Sequence, residues 1–170
     1  LNFNSSGNNT LKDTNNLKSL IINNIDYNSI NFLSKSGINT NYNLNLKNLN
    51  SIGKKTSNYK SSPQIELVSL LNIDSSIPLI KMSKNYNNYL TPRISFRINP
   101  GDMKNYSTSS NKADVGNIFS INRLGLTDTF EAGRSITLGL DFKKEKKNEL
   151  EKINKYFELK LATVLRDKEE

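Results

Sequence analysis

The stretch "GINTNYNLNLKN", residues 37–48, alternates between two kinds of side chain. Apolar side chains stand at even positions, namely Ile38, Tyr42, Leu44 and Leu46. Polar side chains fill the odd positions, namely Asn39, Asn41, Asn43, Asn45 and Lys47. Because successive side chains of a strand point to opposite sides, this period of two predicts a β-strand with one apolar and one polar face.

The same alternation recurs along the chain. It is regular in "YLTPRISFRIN" (89–99), "RSITLGLDFK" (134–143) and "KYFELKLATVLR" (155–166), and less regular in "PQIELVSLLNI" (63–73) and "LKSLIINNIDYNSINF" (17–32). In the last stretch, a bulge near Asp26 would explain why the apolar parity changes. We therefore predict about six strands, most of them around ten residues long.

Composition excludes several kinds of chemistry. The 170 residues include no cysteine and no histidine, which removes thiol nucleophiles, imidazole bases and the common transition-metal ligands. Asp128 and Glu131 stand three apart in a predicted loop, where a local salt bridge explains them better than a catalytic pair. The net charge of +8 is spread along the chain without interleaved aromatic residues, so nucleic-acid binding is not favoured. We expect no enzyme, no cofactor and no metal site.

Strand length favours a membrane protein. Strands of soluble proteins are usually about 5–6 residues long, whereas a tilted strand that crosses a bilayer needs about 9–11. The predicted fold class is all-β, with antiparallel up-and-down strands forming part of a transmembrane β-barrel that is incomplete at both ends. The predicted lumen-facing residues are Asn39, Asn41, Asn43, Asn45, Arg93 and Arg97. The predicted lipid-facing residues are Tyr42, Leu44, Leu46, Ile94, Phe96, Leu138 and Leu140.

The connections between the predicted strands alternate in length. Long links at 48–62 and 100–131 would lie on one side of the membrane, and the links at 33–37, 83–88 and 143–154 on the other. We expect segment 100–131 to fold over or into the lumen. On this scheme an arginine at Leu138 would be damaging, whereas an arginine at Thr137 would be mild.

Two other classes of protein share these patterns. A porin or receptor-type outer-membrane barrel would have the same architecture with a different cargo. A soluble β-rich adhesin would have similar strands but would not need detergent for extraction. The residues considered so far do not decide between these alternatives.

One segment carries a more specific resemblance. The stretch "NIFSINRLGLTDTFEAGRSITLGLDF", residues 117–142, resembles the lipopolysaccharide-assembly outer-membrane protein family LptD, also called the organic-solvent-tolerance protein family. Asn117 and Phe119 match the start of the family motif. The residues that match in its loop, the family-motif loop, are Asn122, Arg123, Asp128, Glu131, Gly133 and Arg134. A second similarity lies in Ile77-Pro78-Leu79 and Leu90-Thr91-Pro92.

This resemblance implies a function in the cell outer membrane of a Gram-negative bacterium. It implies that residues 1–170 form a single segment of the C-terminal barrel domain, without the N-terminal jelly-roll domain of the family. The barrel would assemble lipopolysaccharide into the outer leaflet. The implied partners are lipopolysaccharide, outer-membrane lipid, the plug lipoprotein LptE and periplasmic bridge proteins.

Overall fold

The chain folds into one antiparallel β-sheet. The structure is a computed structural model that describes residues 1–13, 15–102, 112–147 and 153–167. Nine strands are found within these ranges. They are β1 (Asn2–Lys12), β2 (Asn16–Asn28), β3 (Phe32–Leu33), β4 (Asn39–Lys54), β5 (Gln64–Ser76), β6 (Leu79–Met82), β7 (Tyr86–Asn99), β8 (Gly133–Lys147) and β9 (Ile153–Arg166).

The seven long strands follow one another across the sheet in chain order. The order is β1-β2-β4-β5-β7-β8-β9, while the short β3 and β6 pair with β4 and β7. Every pairing is antiparallel, as the sequence predicted. Among the described residues, β1 and β9 do not pair with each other, so the sheet is open. Within the same ranges no helix is long and apolar enough to cross a bilayer.

Two details of the predicted strands differ from the structure. Strand β1 was not predicted, because one of its rows is entirely polar and the other has only two apolar side chains, Phe3 and Leu11, which are too far apart to show a period. The bulge predicted near Asp26 is wrong, because β2 pairs with β4 without interruption from Leu17 to Asn28. The parity changes because β2 ends there and Phe32 belongs to β3.

Pro92 lies within β7 at an interruption of the ladder. Its neighbour Arg93 pairs with Ser76 at the end of β5, whereas Leu90 pairs with Leu79 at the start of β6. A proline has no N–H for a ladder hydrogen bond, so it is tolerated where the partner strand changes. Pro92 therefore marks an irregularity on the side of β7 that faces β5 and β6.

One side of the sheet, the apolar face, is exposed. Cross-strand pairing aligns Tyr42, Ile73, Phe96, Ile136 and Leu165 in one row across five strands. The predicted lipid-facing residues lie on this face, and Tyr42, Leu44, Ile94, Phe96 and Leu138 are among its exposed large side chains. These apolar side chains are therefore not explained by packing into a core of this sheet.

Part of the other side, the polar face, is buried beneath the connection between β7 and β8. We call residues 112–131 of that connection the covering segment. It packs Phe130 and Ile121 against Val68 and Leu70 of β5, which form a small apolar cluster on the polar face. This cluster explains why Val68 and Leu70 interrupt the alternation of β5, since both side chains lie under the covering segment.

Candidate functional site: a polar face closed by a charged cluster

Strand register brings three polar side chains into one row beneath the covering segment. Arg97 of β7 pairs with Ser135 of β8, which pairs in turn with Arg166 of β9. All three therefore project from the polar face. Thr137 stands two residues along β8 from Ser135, on the same face.

The covering segment adds an arginine and a glutamate to this row. Arg123 donates a hydrogen bond from Nε to Glu131 Oε2 at 2.6 Å and a second from Nη2 to Glu131 Oε1. It also donates to Thr137 Oγ1 and to Ser135 Oγ, each at 3.0 Å. Arg123 is 2% exposed and Thr137 is fully buried. The fork of the guanidinium group therefore links the segment to β8.

Two arginines of the sheet approach the same carboxylate. Arg166 Nη1 donates to Glu131 Oε1 at 3.1 Å, and Arg97 Nη1 lies 3.8 Å from Glu131 Oε2. Arg97 also donates to the carbonyl oxygens of Ser120 and Ile121, at 3.2 and 2.5 Å. We call these side chains (Arg97, Arg123, Glu131, Ser135, Thr137 and Arg166) the arginine–glutamate cluster.

The cluster stabilises the ionised form of its carboxylate. Burial alone would raise the pKa of Glu131, but the hydrogen bonds and charge of Arg123, with the charge of Arg97 and a hydrogen bond from Arg166, outweigh it. The pKa of Glu131 therefore lies below its ordinary value. The charged form of Glu131 helps to keep the segment docked.

This pKa shift predicts how docking depends on pH. A carboxyl group whose pKa is lowered in the folded state contributes stability above its unfolded pKa, which is about 4.3 for glutamate. That contribution is lost as the pH falls through the lower pKa of the docked state. We expect docking to be constant between about pH 7 and 5 and to weaken below about pH 4. Proteolytic cleavage within 112–131, measured with an acid-active protease, reports the change.

The matched control for this pH dependence is Glu131→Gln. The variant has no carboxyl group at this position, so its docking should be weaker throughout and should change little below about pH 4. Parallel loss of docking in the wild type and the variant would show that other groups cause the acid sensitivity.

A second docking contact lies where the covering segment approaches β8. The ring of Phe119 packs over Gly139, and the guanidinium of Arg93 lies 4.1 Å from the centre of that ring. A β-carbon at Gly139 would lie 2.5 Å from Phe119 Cζ. Glycine is therefore required for the close approach, and the contact adds a cation–π interaction to the ion pairs.

We expect Gly139→Ala to displace Phe119 and to destabilise the docked segment by about 1–3 kcal/mol. The double variant Phe119→Ala/Gly139→Ala should lose less than the sum of the single variants, because the clash is then absent. Thermal unfolding of the purified protein measures both. Gly7→Ala is the control and should be nearly neutral, because its β-carbon meets other atoms only at 3.5 Å or more. Additive effects in the double variant would contradict this account.

A third set of contacts holds the end of the covering segment. Lys47 Nζ donates to the carbonyl oxygen of Thr127 and lies 4.9 Å from the centre of the Phe130 ring. Asn99 Nδ2 donates to the carbonyl oxygens of Phe130 and Glu131, at 3.3 and 3.2 Å. The polar face thus satisfies backbone groups of the segment as well as its charges.

All six residues predicted to face a lumen lie on the polar face. Asn43 pairs with Asn72, which pairs with Arg97, and Asn39 pairs with Ser76, which pairs with Arg93. Arg93 pairs with an acid of this face, since its Nη1 lies 4.0 Å from Asp141 Oδ2. Whether this face borders a lumen stays a prediction.

The structure brings only part of the family-motif loop together. Arg123 and Glu131 join in the cluster, and Asp128 is buried nearby. Asn122 serves a local turn, in which its side chain both donates to and accepts from the backbone of Leu126 at 2.8 Å.

The remaining two motif residues lie apart from the cluster. Gly133 begins β8 with a φ of 79°, a left-handed conformation that favours glycine. Arg134 faces the other side of the sheet, where its Nε lies 2.9 Å from Asp167 Oδ2. These two residues therefore shape the start of the strand and its exposed edge.

Several site residues were missed from the sequence. Ser135, Thr137 and Arg166 lie in strands that were predicted correctly, but only the register identifies them as neighbours of Arg123. The expectation that an arginine at Thr137 would be mild is wrong, because this side chain is fully buried beneath Arg123. One signal for a covering segment was available in the sequence: Val68 and Leu70 are apolar side chains in an otherwise polar row, and the structure packs them against Phe130.

The polar face beyond the covering segment is open. One cavity of about 310 Å³ is lined by residues that include Asn39, Asp74, Arg93 and Asp141. In the part of the chain that the structure describes, no three acidic side chains stand close enough to hold a metal ion. The arrangement can bind and orient polar or charged groups.

These features define a class of protein. The chain is an all-β protein with one exposed apolar face and one polar face beneath a docked segment. It matches the family model LptD, described as LPS transport system D, over residues 19–155. Because this match spans well over half of the chain, the chain belongs to the LptD family. No curated protein matches it.

Membership confirms the resemblance drawn from residues 117–142. It points to a role in the transport or assembly of lipopolysaccharide, in a family that is not known as one of enzymes.

Proposed function

We propose that this chain forms part of the wall of an outer-membrane β-barrel that assembles lipopolysaccharide into the outer leaflet. The apolar face contacts membrane lipid, the polar face borders the lumen, and the covering segment lies inside it. The observation that carries the proposal is that the match to the LptD family falls on a sheet with two such different faces.

The height of the apolar face supports a position in the membrane. Along β8 this face carries an unbroken apolar row, bounded by Arg134 and Lys144. The ten steps of strand from Arg134 to Lys144 extend about 33 Å. A tilt of about 40° reduces the separation of these two charged residues to about 25 Å, which places them at the two borders of an apolar band of the height found in outer-membrane barrels.

The composition of the polar face supports the passage of a polar cargo. An amphiphile with sugar phosphates cannot cross hydrocarbon with its polar part exposed, because burying unpaired polar and charged groups is costly. The asparagine side chains of β4 and the charges around Arg93 and Asp141 offer hydrogen-bonding partners in place of water. No covalent chemistry is needed for such a passage.

The partners that follow from this proposal are lipopolysaccharide and outer-membrane lipid. By family resemblance they also include a plug lipoprotein of the LptE type and periplasmic bridge proteins. The last two would contact parts of the assembled protein that need not lie in the described residues.

Depletion of the protein in its host tests the proposed function. We expect lipopolysaccharide synthesis to continue while newly made lipopolysaccharide fails to reach the cell surface, as measured by labelling of intact cells. Re-expression of the wild type should restore delivery. If delivery persists and the uptake of small solutes falls instead, the protein acts as a porin and the proposal is wrong.

A further inference from the structure

The arginine–glutamate cluster contains more positive than negative charge. One carboxylate, that of Glu131, faces the guanidinium groups of Arg97, Arg123 and Arg166. Glu131 and Arg123 belong to the covering segment, whereas Arg97 and Arg166 belong to the sheet. Removal of the segment would therefore leave two arginines of the sheet without the carboxylate that they now share.

Hydroxyl groups complete the arrangement on the sheet. Ser135 and Thr137 now accept hydrogen bonds from Arg123, but a hydroxyl group can also donate to an anion. Two guanidinium groups on either side of Ser135, with the hydroxyl of Thr137 two residues along the same strand, match the acceptors and the charge of a phosphate group. The pKa of Glu131, lowered by its arginine neighbours against the effect of burial, indicates that this position favours negative charge.

We propose that Arg97, Arg166, Ser135 and Thr137 form an anion-binding site that Glu131 occupies as an internal ligand. A phosphate group carried by a saccharide takes the place of Glu131 when the covering segment moves away. The docked segment thus keeps the site filled until cargo arrives. The identity of the cargo rests on the proposed function, whereas the anion site rests on the geometry alone.

The test removes the internal ligand and supplies a free one. Glu131→Ala takes away both the carboxylate and its stem, which leaves space beside the three arginines. The reporter is Ser95→Cys, because Ser95 is 1% exposed and stands between Arg93 and Arg97, both of which contact the covering segment. The rate at which a water-soluble maleimide labels this cysteine is measured on the whole detergent-extracted protein, in a background without other accessible thiols.

We expect Glu131→Ala to raise the labelling rate at least about tenfold, because a buried ion pair is broken. Inorganic phosphate and glucose 1-phosphate should each lower the rate again in a saturable way, because in this variant a phosphate in the space of the lost carboxylate joins Arg123 to the arginines of the sheet and restores docking. Sodium chloride at equal ionic strength should not lower the rate. Asp167→Ala removes one negative charge from an exposed pair and is the matched control. It should label like the wild type.

Three results would overturn the anion site. Phosphate and chloride could act alike, the rate could stay high at every phosphate concentration, or Glu131→Ala/Arg166→Gln could respond to phosphate as Glu131→Ala does. A response to inorganic phosphate without one to glucose 1-phosphate would overturn the assignment to a saccharide cargo.

If Glu131→Ala does not fold, the Ser95→Cys protein alone decides. Phosphate should then raise labelling above the level in chloride by competing with Glu131, and equal labelling would overturn the proposal.

These outcomes are independent of lipopolysaccharide delivery. A phosphate response in a protein whose depletion leaves delivery intact would refute the proposed function and retain the anion site. Failure of delivery on depletion, with no phosphate response, would retain the proposed function and refute the anion site.

Discussion

Replacing Arg123 by alanine is expected to undock the covering segment more than any other single substitution in it. Arg123 joins Glu131, Ser135 and Thr137, and its side chain is almost completely buried. Removing one partner of a buried ion pair typically costs about 3–5 kcal/mol. We expect about 3 kcal/mol here, because Glu131 keeps Arg166 as a partner. That loss corresponds to more than a hundredfold rise in the undocked population.

Hydrogen exchange of the backbone amides in 117–131 measures this population in the detergent-extracted protein. The matched control is Arg134→Ala, eleven residues along the chain, where the side chain is 67% exposed in its pair with Asp167. An exposed pair of this kind contributes about 0–1 kcal/mol, so exchange in 117–131 should hardly change. Equal exchange in the two variants would mean that the cluster does not hold the segment.

The strands could be predicted because the apolar face repeats every second residue. Leu44 in β4, Ile94 in β7 and Leu138 in β8 each belong to a row that alternates with polar residues. Strand β1 gave no such signal, because one of its rows is entirely polar and the other carries only Phe3 and Leu11 as apolar side chains, at opposite ends of the strand. Its place in the sheet follows from backbone pairing with β2. Periodicity detects a repeated difference between faces, so it cannot detect a strand in which that difference is not repeated.

The cluster could be predicted only in part. The motif resemblance singled out Arg123 and Glu131, but their neighbours depend on how the strands align. A period of two fixes which face a residue occupies, yet a shift of register by two residues leaves every face unchanged. Such a shift would separate Arg97 from Ser135 and Arg166, which now share one row. This row of side chains therefore could not be predicted from the sequence.

The exceptions to the alternation were the most informative residues. Leu49, Val68 and Leu70 stand in the row that is otherwise polar, and each is almost fully buried. Three apolar side chains would be unexpected in rows that face water. A covering element is the simplest account, and Phe130 of the covering segment contacts Val68 and Leu70. Interruptions of this kind can therefore be used to predict where a loop docks on a polar face.

The exposed apolar face leads to the second large effect. We expect Leu138→Arg to destabilise the membrane-inserted protein by about 2–4 kcal/mol, if this residue lies near the middle of the bilayer. Leu138 is exposed on a face whose neighbouring side chains, Ile94 and Thr163, carry no charge. An arginine there would have to be buried in hydrocarbon or distort the bilayer.

Thr91→Arg is the matched substitution on the polar face. Thr91 pairs with Asp141 and lines the open cavity of about 310 Å³, so an arginine there has both space and an acidic neighbour. Refolding into lipid vesicles, followed by the gel shift of the unheated protein, compares the two variants. We expect Thr91→Arg to refold like the wild type and Leu138→Arg to lose most of its folded fraction. Equal refolding of both would mean that the apolar face does not contact lipid, because only contact with hydrocarbon makes a charge at Leu138 more damaging than one at Thr91.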